Sequence, residues 1–114
     1  MVVNKEDMQM LVQVNTDEHI DGSESLAEEI ETVVRNSLAR FSEQITRVEV
    51  HLSDENSDKK AGANDKRCLL ETRLAGLRPI SANHHAGNVQ LAVDGAVEKM
   101  KRSLDSTLGR LGRA

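Results

Sequence analysis

Residues with chemical potential are few in this chain, and their spacing rules out more than it offers. His84 and His85 are adjacent. On a strand, neighbouring side chains point to opposite faces, so this pair does not chelate one ion. His19 and His51 have no cysteine or carboxylate partner at a zinc-like spacing, so no metal site is expected. Cys68 is the single cysteine, which excludes an internal disulfide and fits a reducing compartment. It alternates with Arg67 and Leu69, which places it inward as a small core residue rather than a nucleophile. No glycine-rich phosphate loop, nucleophile elbow or zinc-protease signature occurs. Acids are plentiful, but no two are set by sequence in an apolar pocket. The expectation is a protein that is not an enzyme and carries no cofactor.

Charge is what remains. The chain has a formal net charge of −4, but it is unevenly spread. Residues 1–87 hold ten bases against sixteen acids. From Asn88 onward, Lys99, Lys101, Arg102, Arg110 and Arg113 face only Asp94, Glu98 and Asp105. The stretch NVQLAVDGAVEKMKRSLDSTLGR is therefore a locally basic segment on an acidic body. Bases near the end of a helix suit its dipole and are often no more than a solvated face. The other use of such a segment is to contact a phosphate backbone. With Phe41 as the only aromatic residue, binding of single strands by base stacking is disfavoured.

The elements that hold these residues follow from hydrophobic period. Residues 1–7 show none and read as a flexible leader, with one domain over 8–114. Met8, Met10, Val12 and Val14 alternate with polar residues, Leu11 being the exception, and predict a first strand. Ser25 and Glu28 fit a capping box, with Asp21 and Ser23 as alternative caps. Leu26, Ile30, Val33, Val34, Leu38 and Phe41 then recur at helical spacing, giving a helix at about 23–42. Val48, Val50 and Leu52 mark a second strand, and Cys68, Leu70, Thr72 and Leu74 a third. SDENSDKKAGANDK between them reads as a loop. Ile80, Ala82 and His84 form a short fourth strand opened by Pro79.

The last helix opens at Asn88, with Val89, Ala92, Val93, Ala96, Val97, Met100, Leu104, Leu108 and Leu111 along its inner stripe. Gly95 inside it implies close packing against the sheet. The order is β-α-β-β-β-α, an α+β domain. A four-stranded sheet with both helices on one face buries every stripe at once. No apolar run approaches the ~20 residues of a membrane helix, and a cytoplasmic protein is the default.

At this last helix the chain resembles the ribosome hibernation-promoting factors, also called ribosome-associated inhibitors. Ala92-Val93-Asp94 is similar to the family's Ala-Ile-Asp triplet, Lys99-Met100 to its Lys-Leu step, and Arg102 and Leu104 to the basic and apolar positions that follow. Upstream, ITRVEVHLS resembles the family's second strand, and the order of elements agrees over most of the chain. The chain departs from the pattern at three places. Asp105-Ser106-Thr107 replaces a basic run, Gln90 an aromatic residue, and Asn88 an acidic cap.

The resemblance implies a fold similar to double-stranded RNA-binding domains. It also implies binding to the small ribosomal subunit in the channel used by messenger and transfer RNA, with helix bases on ribosomal RNA phosphates, so that translation is restrained and idle ribosomes are preserved. Lys99 and Arg102 are the contact positions that match the motif. Lys101, Arg110, Arg113, Arg35 and Arg40 are neighbours of suitable chemistry. Ending at Ala114, the chain resembles a short form without the further domain with which long members pair ribosomes. The rival expectation is a protein-interaction module of the same fold that meets a basic partner with its acidic body.

Overall fold

Ile45 and Val48 stand three residues apart, a spacing that a regular strand sends to opposite faces. Both are nevertheless buried. A bulge reconciles the two: Ile45 pairs with Leu74 and Arg47 with Arg73, so Thr46 is one residue in excess. The Thr46 hydroxyl donates to the Arg73 carbonyl at 3.3 Å. Beyond the bulge alternation is regular, and Val48, Val50 and Leu52 all turn to the core.

The computed structural model describes residues 10–17, 20, 24–55 and 65–112. They form β1 (Leu11–Thr16), α1 (Glu24–Ser37), a 3-10 turn (Ala39–Phe41), β2 (Ile45–Asp54), β3 (Lys66–Leu74), β4 (Ile80–Ala86) and α2 (Val89–Arg110), in the predicted order. The sheet runs β1-β2-β3-β4. β1 is parallel to β2, and the other pairings are antiparallel. Cys68, Leu70, Thr72 and Leu74 all face inward, as their alternation predicts. Cys68, Leu70 and Leu74 share one core with Ile30 and Val34 of α1 and with Val93, Met100 and Leu104 of α2. Both helices therefore cover the same face of the sheet. Each large aliphatic side chain fully buried in that core contributes roughly 1.5–3 kcal/mol. Residues 1–7, read as a leader, lie outside the described residues.

The structure corrects several expectations. α1 begins at Glu24, so Ser25 lies within its first turn and is not its cap. A helical side chain covers the turn before its own Cα. Leu26 packs against the core, which draws Glu24 and Ser25 into the helix. The alternative caps at 21 and 23 lie outside the described residues. α1 also stops at Ser37, and the chain tightens into the 3-10 turn, with the Phe41 amide donating to the Leu38 carbonyl at 2.9 Å. That tightening keeps both Leu38 and Phe41 buried.

The strands reach further into the polar loop than its composition implies, since Ser53 pairs with Arg67 and Asp54 with Lys66. Lys66 Nζ, 3.4 Å from Asp54 and 3.2 Å from Asp65, makes a polar rung tolerable there. Finally, Leu111 is 47% exposed and lies outside the core. α2 ends at Arg110, and Gly112 (φ +71°) turns the chain away after Leu108, the last buried residue.

β4 runs on to Ala86, longer than the short strand expected. This extension sets His84 against α2. A Cβ on Gly95 would fall 2.0 Å from His84 Cδ2, which is the close approach that a glycine inside this helix implies.

Candidate nucleic-acid interface

α2 starts where the sequence places it. Asn88 adopts an extended conformation, and its Oδ1 accepts the Leu91 amide at 2.8 Å, an N-cap that satisfies one orphan donor of the first turn. Ala92, Val93, Ala96, Val97, Met100, Leu104 and Leu108 bury one side of the helix. Two exposed flanks remain, and helical spacing sorts their charges.

Positions 99, 102, 103, 106 and 110 recur at intervals of three and four, or near them, and so share one flank. It carries Lys99, Arg102, Ser103, Ser106 and Arg110, with no acid among them. Positions 94, 98, 101 and 105 share the other flank, which carries Asp94, Glu98, Lys101 and Asp105. Lys99 Nζ donates to the Asn83 carbonyl at 2.9 Å, which sets the basic flank beside β4. Arg40 in the 3-10 turn donates to Asp105 Oδ2 at 2.8 Å, which sets the acidic flank on the α1 side.

Where the basic flank meets the start of β4 there is an open groove of about 410 Å³, lined by Ile80, Arg102, Ser103, Ser106, Thr107 and Arg110. Arg110 Nη1 donates to Ser106 Oγ at 2.6 Å, which orients the guanidinium along the groove. Among the described residues no hydrogen bond or ion pair engages Arg102. Guanidinium groups and hydroxyls together are phosphate-binding chemistry: the first supply charge and forked donors, the second uncharged donors.

Six of the seven candidate bases lie among the described residues, and they divide. Lys99, Arg102 and Arg110 come together on the groove side. Lys101 lies on the other flank, with Nζ 3.5 Å from Glu98. Arg40 is also there, stacked over the Phe41 ring at 4.1 Å and paired with Asp105. The hydrogen bond between them holds the Asp105 carboxyl below its ordinary range and raises the Arg40 guanidinium above its own. Arg35 is built into the fold: Nη1 donates to the Met10 carbonyl at 2.7 Å and Nη2 to Glu31 at 3.1 Å, tying α1 to the entry of β1. Arg113 lies outside the described residues. The hydroxyls of Ser103, Ser106 and Thr107 escaped sequence reading. Their signal is the same three-and-four spacing that gathers the bases.

Comparison with known proteins agrees with this architecture. The model of the family described as Sigma 54 modulation protein / S30EA ribosomal protein matches residues 12–111, and the chain belongs to that family. The family expectation drawn from the final helix is thus borne out. Among solved structures, a ribosomal subunit interface protein from Coxiella burnetii is similar, with a TM-score of 0.65 and 18% identity over 88% of this chain and 99% of that one. The N-terminal domain of Protein Y from Thermus thermophilus is similar with a TM-score of 0.64 and 13% identity, over the same shares of the two chains. At these identities the likeness is one of fold. No curated protein matches the sequence. Among the described residues, no helix is long and apolar enough to cross a membrane.

Proposed function

We propose that this protein associates with the ribosome, occupies the small subunit by setting the basic flank of α2 on ribosomal RNA phosphates, and thereby restrains translation. Membership of the family and the fold shared with a ribosomal subunit interface protein support the ribosome as partner. The observation that carries the contact surface is the segregation of charge along α2. Lys99, Arg102 and Arg110 share an acid-free flank beside a groove, although the chain as a whole is acidic. Function here is occupancy by shape and charge, with no catalytic step. A second reading, a protein partner with a basic surface, draws on the exposed Glu24, Glu28 and Glu29 of α1.

Cosedimentation with small subunits at two salt concentrations tests the proposal. Phosphate contacts release counterions, so log affinity is expected to fall against log salt by about 0.7–0.9 per contact. Replacing Lys99 and Arg102 together with Glu is expected to abolish cosedimentation and leave the circular dichroism spectrum unchanged, since both are exposed. A wild-type protein that never cosediments, even at low salt, sinks the ribosome reading and leaves the protein partner. A double variant that binds as wild type does moves the contact away from α2.

A further inference from the structure

β2 and β3 oppose like charges on the uncovered face of the sheet. Glu49 pairs directly with Glu71, and Arg47 with Arg73. Directly opposed like charges destabilise a sheet, so a rung of two carboxylates calls for a cation between them. His51 follows Glu49 on the same face and directs Nε2 at both: it lies 3.4 Å from Glu49 Oε1 and 3.4 Å from Glu71 Oε1. That nitrogen is shut off from solvent, yet it makes no hydrogen bond.

Both distances are long for a direct hydrogen bond. A charge-assisted N–H···O bond closes to about 2.7–2.9 Å. The other such pair at this end of the sheet, His85 Nε2 with Glu55 Oε1, does close, to 2.8 Å. A separation of 3.4 Å is that of a loose ion pair, and it is equally that of two ligands on one ion, since donors about 2.0–2.1 Å from a tetrahedral zinc stand roughly 3.3–3.4 Å apart. All three donor atoms lie within 4.8 Å of one another, so turning one carboxylate closes the third edge. Arg47 completes the arrangement from outside. Its Nε lies 3.0 Å from Glu49 Oε2, and its Nη2 donates to Gln13 Oε1. The Nε contact is an ion pair without a hydrogen bond; it engages Oε2 and leaves Oε1 on the side of the cluster.

We infer that Glu49, His51 and Glu71 bind a divalent transition-metal cation with three protein ligands. One imidazole and two carboxylates, without thiolate, suit zinc better than the all-oxygen shells of calcium or magnesium. The bound cation neutralises the opposed carboxylates and cross-links β2 to β3. The site lies on the face of the sheet that the helices leave open, and it rests on none of the reading given to α2.

Calorimetric titration of the chelator-treated full chain with zinc chloride tests it, alongside thermal melting and the visible spectrum of the cobalt(II) form. One zinc per chain, a raised melting temperature and intense tetrahedral cobalt bands are expected. His51→Ala and Glu71→Gln are each expected to weaken binding by about tenfold or more. His85→Ala is expected to bind as wild type does, and circular dichroism checks that each variant is folded. Absence of binding in excess zinc overturns the inference. So does binding that survives both His51→Ala and Glu71→Gln, or binding that His85→Ala removes.

Discussion

The imidazole of His84 occupies the space that a side chain on Gly95 would need: a Cβ there would lie 2.0 Å from Cδ2 and 2.3 Å from Cγ. Because Cγ is fixed close to the β4 backbone, turning the ring does not clear the clash. Alanine favours a helix over glycine by about 1 kcal/mol. Gly95→Ala is nevertheless expected to destabilise the fold, by about 1–3 kcal/mol, as overpacking does. His84→Ala in the same chain should return most of that loss, and urea unfolding of the two single variants and the double variant measures the coupling. Additive effects would show that the two residues do not meet.

Asp105 neutralises Arg40 on the acidic flank of α2. Asp105→Lys removes that acid, frees Arg40 and adds a base. If the flank borders the RNA, binding to small subunits should strengthen, and the slope of log affinity against log salt should steepen by about 0.7–0.9 for each added phosphate contact. Affinity unchanged across the salt series would place this flank outside the contact.

Thr72 is fully buried, and its hydroxyl has no hydrogen-bond partner. A desolvated, unpaired hydroxyl costs about 1–3 kcal/mol, and valine offers a methyl group in its place. Thr72→Val is expected to raise stability by about 1 kcal/mol, seen as a higher urea midpoint at constant slope. A lower midpoint would mean that the hydroxyl is satisfied in solution.

Burial pushes the Cys68 thiol up to about 12. An unfolded chain releases the same proton near pH ~8.5. The folded value is the higher, so the thiol's contribution to stability is complete below about pH 8.5 and declines as pH rises toward the folded value. The native thiol should resist a disulfide reagent at pH 8 and react only as the chain unfolds. Fast labelling of native protein would contradict the inward position.

Local patterns made most of the fold legible. Cys68, Leu70, Thr72 and Leu74 announce β3 because period two admits one arrangement of a buried face, and Asn88 announces α2 because its side chain caps three residues away. What stayed hidden depends on partners distant in sequence. Arg40 meets Asp105 only after α2 has packed beside the 3-10 turn. His51 has Glu49 two residues before it on the same strand face, but gains Glu71 only when β3 pairs with β2. Asp54 and Lys66 look like loop residues until the ladder sets them opposite each other. The basic flank lies between these cases. Its spacing was present in the sequence, but its separation from the acids needed the buried stripe to be fixed first.

The parallel pairing of β1 with β2 has a kinetic side. Thr72 finds Ile80 across a short turn, whereas Leu11 must find Arg47 across the whole of α1. Closing the longer loop costs more chain entropy before any contact rewards it. The meander of β2, β3 and β4, sealed by α2, is therefore expected to form first, with β1 and α1 docking on it late. The reverse order is expected in fluctuations of the native state. Amides of β1 should exchange with solvent through a smaller opening than those at the centre of β3, so the half that bears the basic flank keeps its shape while the other half breathes.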